Sequence, residues 1–314
     1  MPPRHHDPLW RLAAAKWAEI EAKSPDLAPA VALQQRLLGL LVDASASLEG
    51  IVSLNLSPLV ISDKRTRGVP AVRNETVDIP LQLGEFLPPL CAALAEGGAG
   101  DSARHIGEAV AVRSIDAISL LRVSLARDQE AVRTSALHMG FSPDLLWLIG
   151  ELASSPLAHK LALSIAENGS GIPFPQASGT EDPGTVFRWD RGYCPFCGSW
   201  PAYIEAQDAA RVLRCSYCAL GWSLQSHRCI YCGHAGENFV AAAPDVNQPE
   251  RRVELCGACG GYTKVIETAE PTPFPLVAIE DLATMHLDRG AMERGYRRPE
   301  LVNLDAIEPR ATRC

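Results

Sequence analysis

Hydrophobic residues recur at helical spacing through the first half of the chain. The stripes lie in residues 10–20, 33–48 and 115–125, and the first of them contains Trp10, Ala13, Trp17 and Ile20. Apolar residues three and four positions apart line one face of an α-helix. The stripes therefore predict that the first half of the chain folds as a bundle of five to seven helices.

Two sequences in this part of the chain have the composition of a helix start. Ser142-Pro143-Asp144 places a hydroxyl cap before a proline, at the position where a helix requires no amide hydrogen. Ser155-Pro156 repeats the arrangement and predicts a second helix, which ends at Asn168-Gly169.

The pattern changes after the helical region. Residues 168–186 are rich in glycine, proline and serine, which predicts a linker or a surface loop. From Phe187, short apolar segments with turn-rich flanks predict β-strands. These segments are Ala202–Glu205, Val212–Cys215, Phe239–Ala242, Val253–Leu255 and Tyr262–Ile266. A last helical stripe, with Ile279, Leu282 and Leu287, ends near Gly295.

The fold class that follows is α+β. We expect a helical domain over residues 1–167, a linker or surface loop over 168–186, a small β-rich metal domain over 187–267 and a C-terminal helical segment over 268–314. The β-rich region repeats itself, because each half runs from one cysteine pair through two strands to a second pair.

The composition restricts the expected cellular compartment and the expected class of binding partner. The 314 residues have a formal net charge of −8, which argues against a nucleic-acid partner. Residues 1–6 lack the apolar core of a secretory signal, and no stretch approaches the roughly 20 apolar residues of a membrane span. We therefore expect a cytoplasmic protein without membrane insertion, in which paired cysteines are metal ligands or redox dithiols rather than structural disulfides.

Eight of the ten cysteines form four Cys-x-x-Cys pairs. The pairs are Cys194/Cys197, Cys215/Cys218, Cys229/Cys232 and Cys256/Cys259. Two such pairs supply a tetrahedral four-sulfur site, so four pairs predict two metal sites. Pairing in chain order is favoured because each half of the repeat contains a complete ligand set. An interleaved arrangement, as in cross-braced zinc domains, is the alternative.

The residues after the pairs support metal binding. Gly198 and Gly233 directly follow the second cysteine of their pairs, where the backbone needs a positive φ. Gly260 offers the same freedom after Cys259, whereas Ala219 follows Cys218 without it.

The remaining candidate groups favour simpler roles. His227 and His234 flank the third pair, and eight thiols leave them as neighbours of the site or as solvent-facing residues rather than ligands. Cys91 lies in an apolar helical stretch and is expected in the core, and the terminal Cys314 has no expected role. No catalytic motif stands out. A redox-active dithiol at Cys194 and Cys197 is disfavoured, because such chemistry needs the first cysteine at a helix N-terminus and the residues that follow this pair favour a turn.

The cysteine region resembles the formate dehydrogenase accessory protein family, FdhE. The matching runs are Cys194-Pro-Phe-Cys-Gly-Ser-Trp-Pro201, Leu213-Arg-Cys-Ser-Tyr-Cys218, Cys229-Ile-Tyr-Cys-Gly233 and Glu254-Leu-Cys-Gly-Ala-Cys-Gly-Gly-Tyr-Thr-Lys-Val-Ile266. The acidic tail helix, Ile279 to Asp288, and the run Glu293 to Arg297 also match. The resemblance is specific over about 190–300.

The resemblance implies a cytoplasmic, non-enzymatic maturation factor. Such a factor binds the catalytic subunit of respiratory formate dehydrogenase and carries two rubredoxin-like iron sites, each held by four cysteines. Zinc is the alternative metal, since a four-thiolate cage accepts both ions. A zinc-ribbon nucleic-acid-binding protein and a thiol or iron redox protein are the competing functions, and a homodimer is an open alternative to a monomer.

The resemblance also suggests a client-binding surface. Phe196, Tyr217 and Tyr231 occupy the third position of their cysteine pairs, from which we expect the rings to project outward as interface anchors. The competing expectation is that each ring packs over its own metal site. The Glu280–Asp288 helix is a second expected contact with the client.

Overall fold

The computed structural model describes residues 7–50, 54, 56–167, 189–207, 210–224, 226–242 and 248–307. The chain forms two compact units. The first comprises Met1–Leu54 and Asn74–Leu161, and the second comprises Asn55–Arg73 and Ala162–Cys314. The predicted linker at 168–186 and Cys314 lie outside the described residues.

The N-terminal part is helical, as predicted. Over residues 7–167, the described chain forms nine α-helices, more than the five to seven expected. They are α1 (Pro8–Lys23), α2 (Ala28–Ser47), α3 (Pro58–Arg67), α4 (Leu81–Gly84), α5 (Leu87–Leu94), α6 (Gly100–Ala111), α7 (Ala117–Leu125), α8 (Gln129–Met139) and α9 (Pro143–Glu167). The extra helices arise because short turns separate segments that the apolar stripes do not resolve.

Local chemistry explains several helix ends. The carboxylate of Asp116 accepts from the backbone N–H of Ile118, 3.0 Å away, at the start of α7. Asp128 caps α8 in the same way through Ala131. Gly140, with φ of 74°, ends α8, since glycine adopts a left-handed backbone without steric cost.

The predicted helix start at Ser155-Pro156 is wrong. Helix α9 begins at Pro143, as predicted, and continues through Pro156 to Glu167. Proline has no N–H to give to the carbonyl four residues earlier, which is that of Leu152. The hydroxyl of Ser155 donates to this carbonyl instead, at 3.1 Å. The serine thus satisfies the acceptor that the proline leaves open, and the helix is not interrupted.

The second unit contains a six-stranded sheet that confirms the five predicted strands. The strands are β1 (Pro201–Gln207), β2 (Ala210–Cys215), β3 (Gly221–Trp222), β4 (Phe239–Ala241), β5 (Arg251–Cys256) and β6 (Tyr262–Glu267). Only the two-residue β3 lacked a sequence signal. The strand order is β3-β2-β1-β6-β5-β4, and every neighbouring pair is antiparallel except β1 and β6.

This order reflects the sequence repeat. Each half contributes three strands in the order third-second-first, and the two halves follow one another along the sheet. The first strand of one half, β1, pairs with the last strand of the other, β6, with Ile204 opposite Val265. One continuous sheet therefore carries both cysteine regions.

C-terminal helices lie against this sheet. Helices α10 (Val277–Ala283) and α11 (Met285–Glu293) follow the strands, and α12 (Leu304–Ile307) lies near the end of the described chain. Val277 of α10 packs in a buried cluster with Tyr203 and Ile266 of the sheet. The predicted helical stripe is thus confirmed, with a break at Thr284.

Among the described residues, none of the helices combines the length and the apolar character needed to cross a membrane.

Candidate metal centres

The structure gathers the eight paired cysteines into two sets of four thiols. The first set comprises Cys194, Cys197, Cys215 and Cys218, and the second set comprises Cys229, Cys232, Cys256 and Cys259. Within each set all sulfur atoms lie within 4.8 Å of one another. The sets follow chain order, which is the favoured of the two arrangements that the spacing left open.

The sulfur separations fit a tetrahedral metal site. In the first set, the Sγ atoms of Cys197 and Cys215 are 3.5 Å apart, and those of Cys194 and Cys218 are 3.6 Å apart. Two Sγ–Sγ separations in the second set are 3.7 Å. A tetrahedron with metal–sulfur bonds of about 2.3 Å has edges of about 3.8 Å. Each set therefore has the dimensions of a four-thiolate cage.

The four Cys-x-x-Cys turns share one backbone structure. In the first turn, the carbonyl of Cys194 accepts from the backbone N–H of Gly198, 2.9 Å away. The backbone N–H of Cys194 donates in turn to the carbonyl of Ser199. The same two bonds recur at Cys215, Cys229 and Cys256. The residue after the pair has a positive φ in all four turns: Gly198 83°, Ala219 57°, Gly233 74° and Gly260 69°.

Backbone amides in these turns point at sulfur. The N–H groups of Tyr217 and Cys218 each donate to the Sγ of Cys215, at 3.4 Å. Such bonds stabilise sulfur in its thiolate form, which is the form that binds metal. The donor set and its hydrogen bonds are those that a soft cation such as Zn²⁺ or iron requires.

Burial and hydrogen bonding act on the thiols in opposite directions. Burial raises the pKa of Cys194 and Cys218 well above the usual value. Burial also opposes ionisation at Cys256, but the amides of Cys259 and Ala258 and the neighbouring thiols lower the pKa of Cys256 to about 7. A bound cation would favour the thiolate form at every position. In the first set it would therefore oppose the effect of burial on the thiols.

Comparisons with known proteins identify relatives of this chain. A curated FdhE homolog from Aquifex aeolicus is 30% identical over 122 residues, which is 36% of this chain and 41% of the relative. FdhE of Escherichia coli is 31% identical over 35% of this chain and 37% of the relative. A Shewanella baltica homolog is 35% identical over 33% of this chain and 35% of its own length. The resemblance to the FdhE family is confirmed.

The extent of the similarity is limited. The matched regions span less than half of each of these FdhE relatives. The match to the crystal structure of the FdhE protein from Pseudomonas aeruginosa covers 89% of this chain and 95% of that protein's chain, with 21% identity and a TM-score of 0.49. No protein-family model matches the chain.

The FdhE-like cysteine sets differ in how the protein covers them. All four thiols of the first set are fully buried. In the second set Cys229 and Cys256 are buried, whereas Cys232 and Cys259 are exposed. The ligand types and turns are the same in both sets, so the difference lies in the surrounding chain.

Part of the cover over the first set comes from a segment far away in the sequence. Ala71 donates its backbone N–H to the carbonyl of Pro195, 2.8 Å away, and Val72 donates to that of Phe196, 3.0 Å away. The hydroxyl of Tyr193, next to the first cysteine, donates to the carbonyl of Gly68. Sequence reasoning missed this segment, because nothing in its composition indicates which partner its backbone binds.

The expected outward projection of the aromatic rings is wrong at two of the three positions. Phe196 is fully buried and Tyr217 is 5% exposed, so neither ring projects into solvent. Tyr231 is partly buried, donates its hydroxyl to the carbonyl of Tyr262 and contacts Trp200 edge to face at 5.0 Å between ring centroids. Tyr231 also packs against the buried cluster of Cys229, Phe239 and Cys256, as the competing expectation has it for this ring.

The two histidines lie outside the thiol sets. His227 places Nε2 3.1 Å from a carboxylate oxygen of Glu254, which Arg211 also binds through two nitrogens. His234 contributes its backbone carbonyl to the turn at Cys229. Cys91 is 1% exposed in α5, as expected for a core residue.

The acidic residues of the C-terminal helices bind the sheet. Glu280 lies 3.2 Å from the guanidinium of Arg251, and both are buried. Lys264, which is fully buried in β6, lies 2.6 Å from Asp281 and 2.7 Å from Asp288. These carboxylates therefore have partners within the chain, and the contact between the Glu280–Asp288 helix and a client stays a prediction.

Proposed function

We propose that this protein is a cytoplasmic accessory factor in the maturation of respiratory formate dehydrogenase. In this proposal it binds the catalytic subunit of that enzyme through its metal-binding region and is not itself an enzyme. Each set of four cysteines holds one iron ion, with zinc as the alternative metal. The observation that carries the proposal is that the eight cysteines of the FdhE motif form two sets with the dimensions of four-thiolate metal sites.

The coordination chemistry supports a non-catalytic role. Catalytic zinc sites keep one position open for water or substrate, whereas structural sites are closed by four protein ligands. Both sets offer four thiols at tetrahedral spacing, which fill every position of such a site. A protein of this kind stabilises a surface that a partner recognises, and the similarity to FdhE proteins supports formate dehydrogenase as that partner.

Because the first set is buried, we infer that the client contacts the second set. Cys232 and Cys259 are exposed, and so are Gly233, Gly257 and Ala258 beside them. We expect the client to contact this rim of the second set.

A capture experiment tests the proposal. The affinity-tagged protein is purified without oxygen from cells that make a respiratory formate dehydrogenase, and the captured catalytic subunit is measured by mass spectrometry. The wild type should retain it, and the exposed-thiol variant Cys232→Ser/Cys259→Ser should lose most of it. Cys91→Ala is the matched control, because it removes a cysteine outside both sets and should leave capture unchanged.

Metal analysis of the same preparations tests the cofactor. We expect two ions per chain in the wild type and the red colour of ferric four-thiolate iron after exposure to air. Absence of client capture by the metal-loaded wild type would remove the proposed partner, and a metal-free but folded wild type would remove the proposed sites.

A further inference from the structure

The two cysteine sets have equal ligands but unequal access to solvent. In the first set all four thiols are fully buried, whereas in the second set Cys232 and Cys259 are exposed at one edge of the cage. Like all four sulfur atoms of the set, theirs lie within 4.8 Å of each other, and these two residues form the exposed part of the site. A molecule in solution therefore approaches these two residues more directly than any cysteine of the first set.

The glycines after the cysteine pairs show the same contrast. A methyl group added at Gly198 would lie 2.8 Å from a side-chain carbon of Leu304 and 3.0 Å from one of Pro70. A methyl group at Gly233 or Gly260 would meet no heavy atom within 4 Å. The described chain thus packs closely at Gly198 of the first set and leaves space at Gly233 and Gly260 of the second set, although the ring of Tyr231 lies against the neighbouring Gly261.

We propose that the second set is an exchangeable metal site, whereas the first set retains its ion. The incoming ligand enters at the edge formed by Cys232 and Cys259 and is a metal-binding donor, such as the thiolate of a partner protein or the carboxylates of a small chelator. This inference rests on the proposal that both sets bind metal, and it adds that only one of them gives its ion up readily.

The exchange is a ligand substitution without change of oxidation state. As each donor of the incoming ligand binds, one cysteine sulfur dissociates, and the freed thiolate takes up a proton from solvent according to the pH. Cys232 and Cys259 dissociate first because solvent and reagent reach them directly. In the first set a thiolate that dissociates stays enclosed with the ion, which favours rebinding over escape.

The test measures how fast zinc leaves the full-length protein. Protein loaded with two equivalents of Zn²⁺ is mixed with excess EDTA, and the metal retained is measured over time after rapid desalting. We expect two phases of one equivalent each, with the faster at least about tenfold quicker, as follows from a barrier lower by about 1.4 kcal/mol. Iodoacetamide labelling during the fast phase should modify Cys229, Cys232, Cys256 and Cys259 while Cys194, Cys197, Cys215 and Cys218 stay protected.

A variant and the labelling pattern keep the result decisive. Cys232→Ser/Cys259→Ser should bind one equivalent and show only the slow phase. If this variant does not fold, the order of labelling in the wild type still gives the answer. Release of both equivalents at one rate, or earlier labelling of the first set, would overturn the inference. Failure to bind two equivalents at the outset would instead count against the proposed metal sites.

Discussion

A single backbone position in each cysteine turn must adopt a left-handed conformation. Three of the four turns have glycine there, and the fourth has Ala219 with φ of 57°. An L-residue other than glycine pays about 1–2 kcal/mol in this region. The methyl group of Ala219 is buried in a cluster with Tyr203 and Ile266, which offsets part of this strain. The turn therefore forms without glycine.

Alanine substitutions at two matched glycines separate backbone strain from packing. Gly198→Ala and Gly233→Ala both place a methyl group at a positive φ, of 83° and 74° respectively. Both should lose about 1–2 kcal/mol of unfolding free energy from strain. Gly198→Ala should lose roughly 1–3 kcal/mol more, because its methyl group clashes with Leu304 and Pro70. Urea unfolding of the metal-loaded variants measures the difference, and equal losses would contradict the close packing at Gly198.

At the scale of the elements, ion pairs to buried cations join the C-terminal helices to the sheet. The ammonium of Lys264 in β6 meets Asp281 of α10 and Asp288 of α11, and Arg251 of β5 meets Glu280 of α10. A buried charge without a partner is costly, so these contacts specify how the helices lie on the strands. Acidic residues that, from the sequence, would be expected to face solvent therefore pair with basic residues of the sheet.

Removal of the buried ammonium should weaken this attachment. Lys264→Met removes one of the two cations that bind Asp281 and Asp288, since Arg298 also lies 3.3 Å and 2.9 Å from these carboxylates, and should cost roughly 1–3 kcal/mol. The control is Arg252→Met, which breaks the partly exposed 2.7 Å pair with Glu267 and should cost about 1 kcal/mol or less. Hydrogen exchange of β5 and β6 peptides in the folded protein measures both free energies. Similar small losses in the two variants would show that the buried pairs do not hold the helices.

At the scale of the whole molecule, the two units depend on different interactions. The first unit is helical and has an apolar core with fully buried residues such as Leu83, Ile106 and Leu121. The second unit combines a sheet with the two cysteine sets. Structural zinc sites contribute apparent binding free energies of roughly 10–16 kcal/mol, so the second unit should depend on metal far more than the first.

Metal removal should therefore unfold the protein in part. Under a strong chelator and a reductant, we expect far-ultraviolet circular dichroism to keep most of its helical signal. Hydrogen-exchange protection should fall in residues 189–267 and persist in α5 to α8 of the first unit. Restoring Zn²⁺ should restore protection, which controls for irreversible damage. Collapse of the complete dichroism spectrum would mean that the units do not fold independently.

The sequence by itself identifies the features that depend on local chemistry. The positions of the cysteine pairs, the five longer strands and the start of α9 at Pro143 follow from spacing, alternation and capping. These signals lie within a few residues of the structure they predict. The sequence also favours chain-order grouping of the thiols, because a complete ligand set lies within each half of the repeat.

The remaining features depend on contacts between distant parts of the chain. Pro70, Val72 and Leu304 contact the turn that contains Phe196 and Gly198. No pattern in the sequence around these three residues predicts that they pack against the first set. The same holds for Lys264, whose charge suggests exposure until helix α11 brings Asp288 to it. Burial is a property of the complete packing, and so only the folded chain makes one set of identical ligands enclosed and the other open.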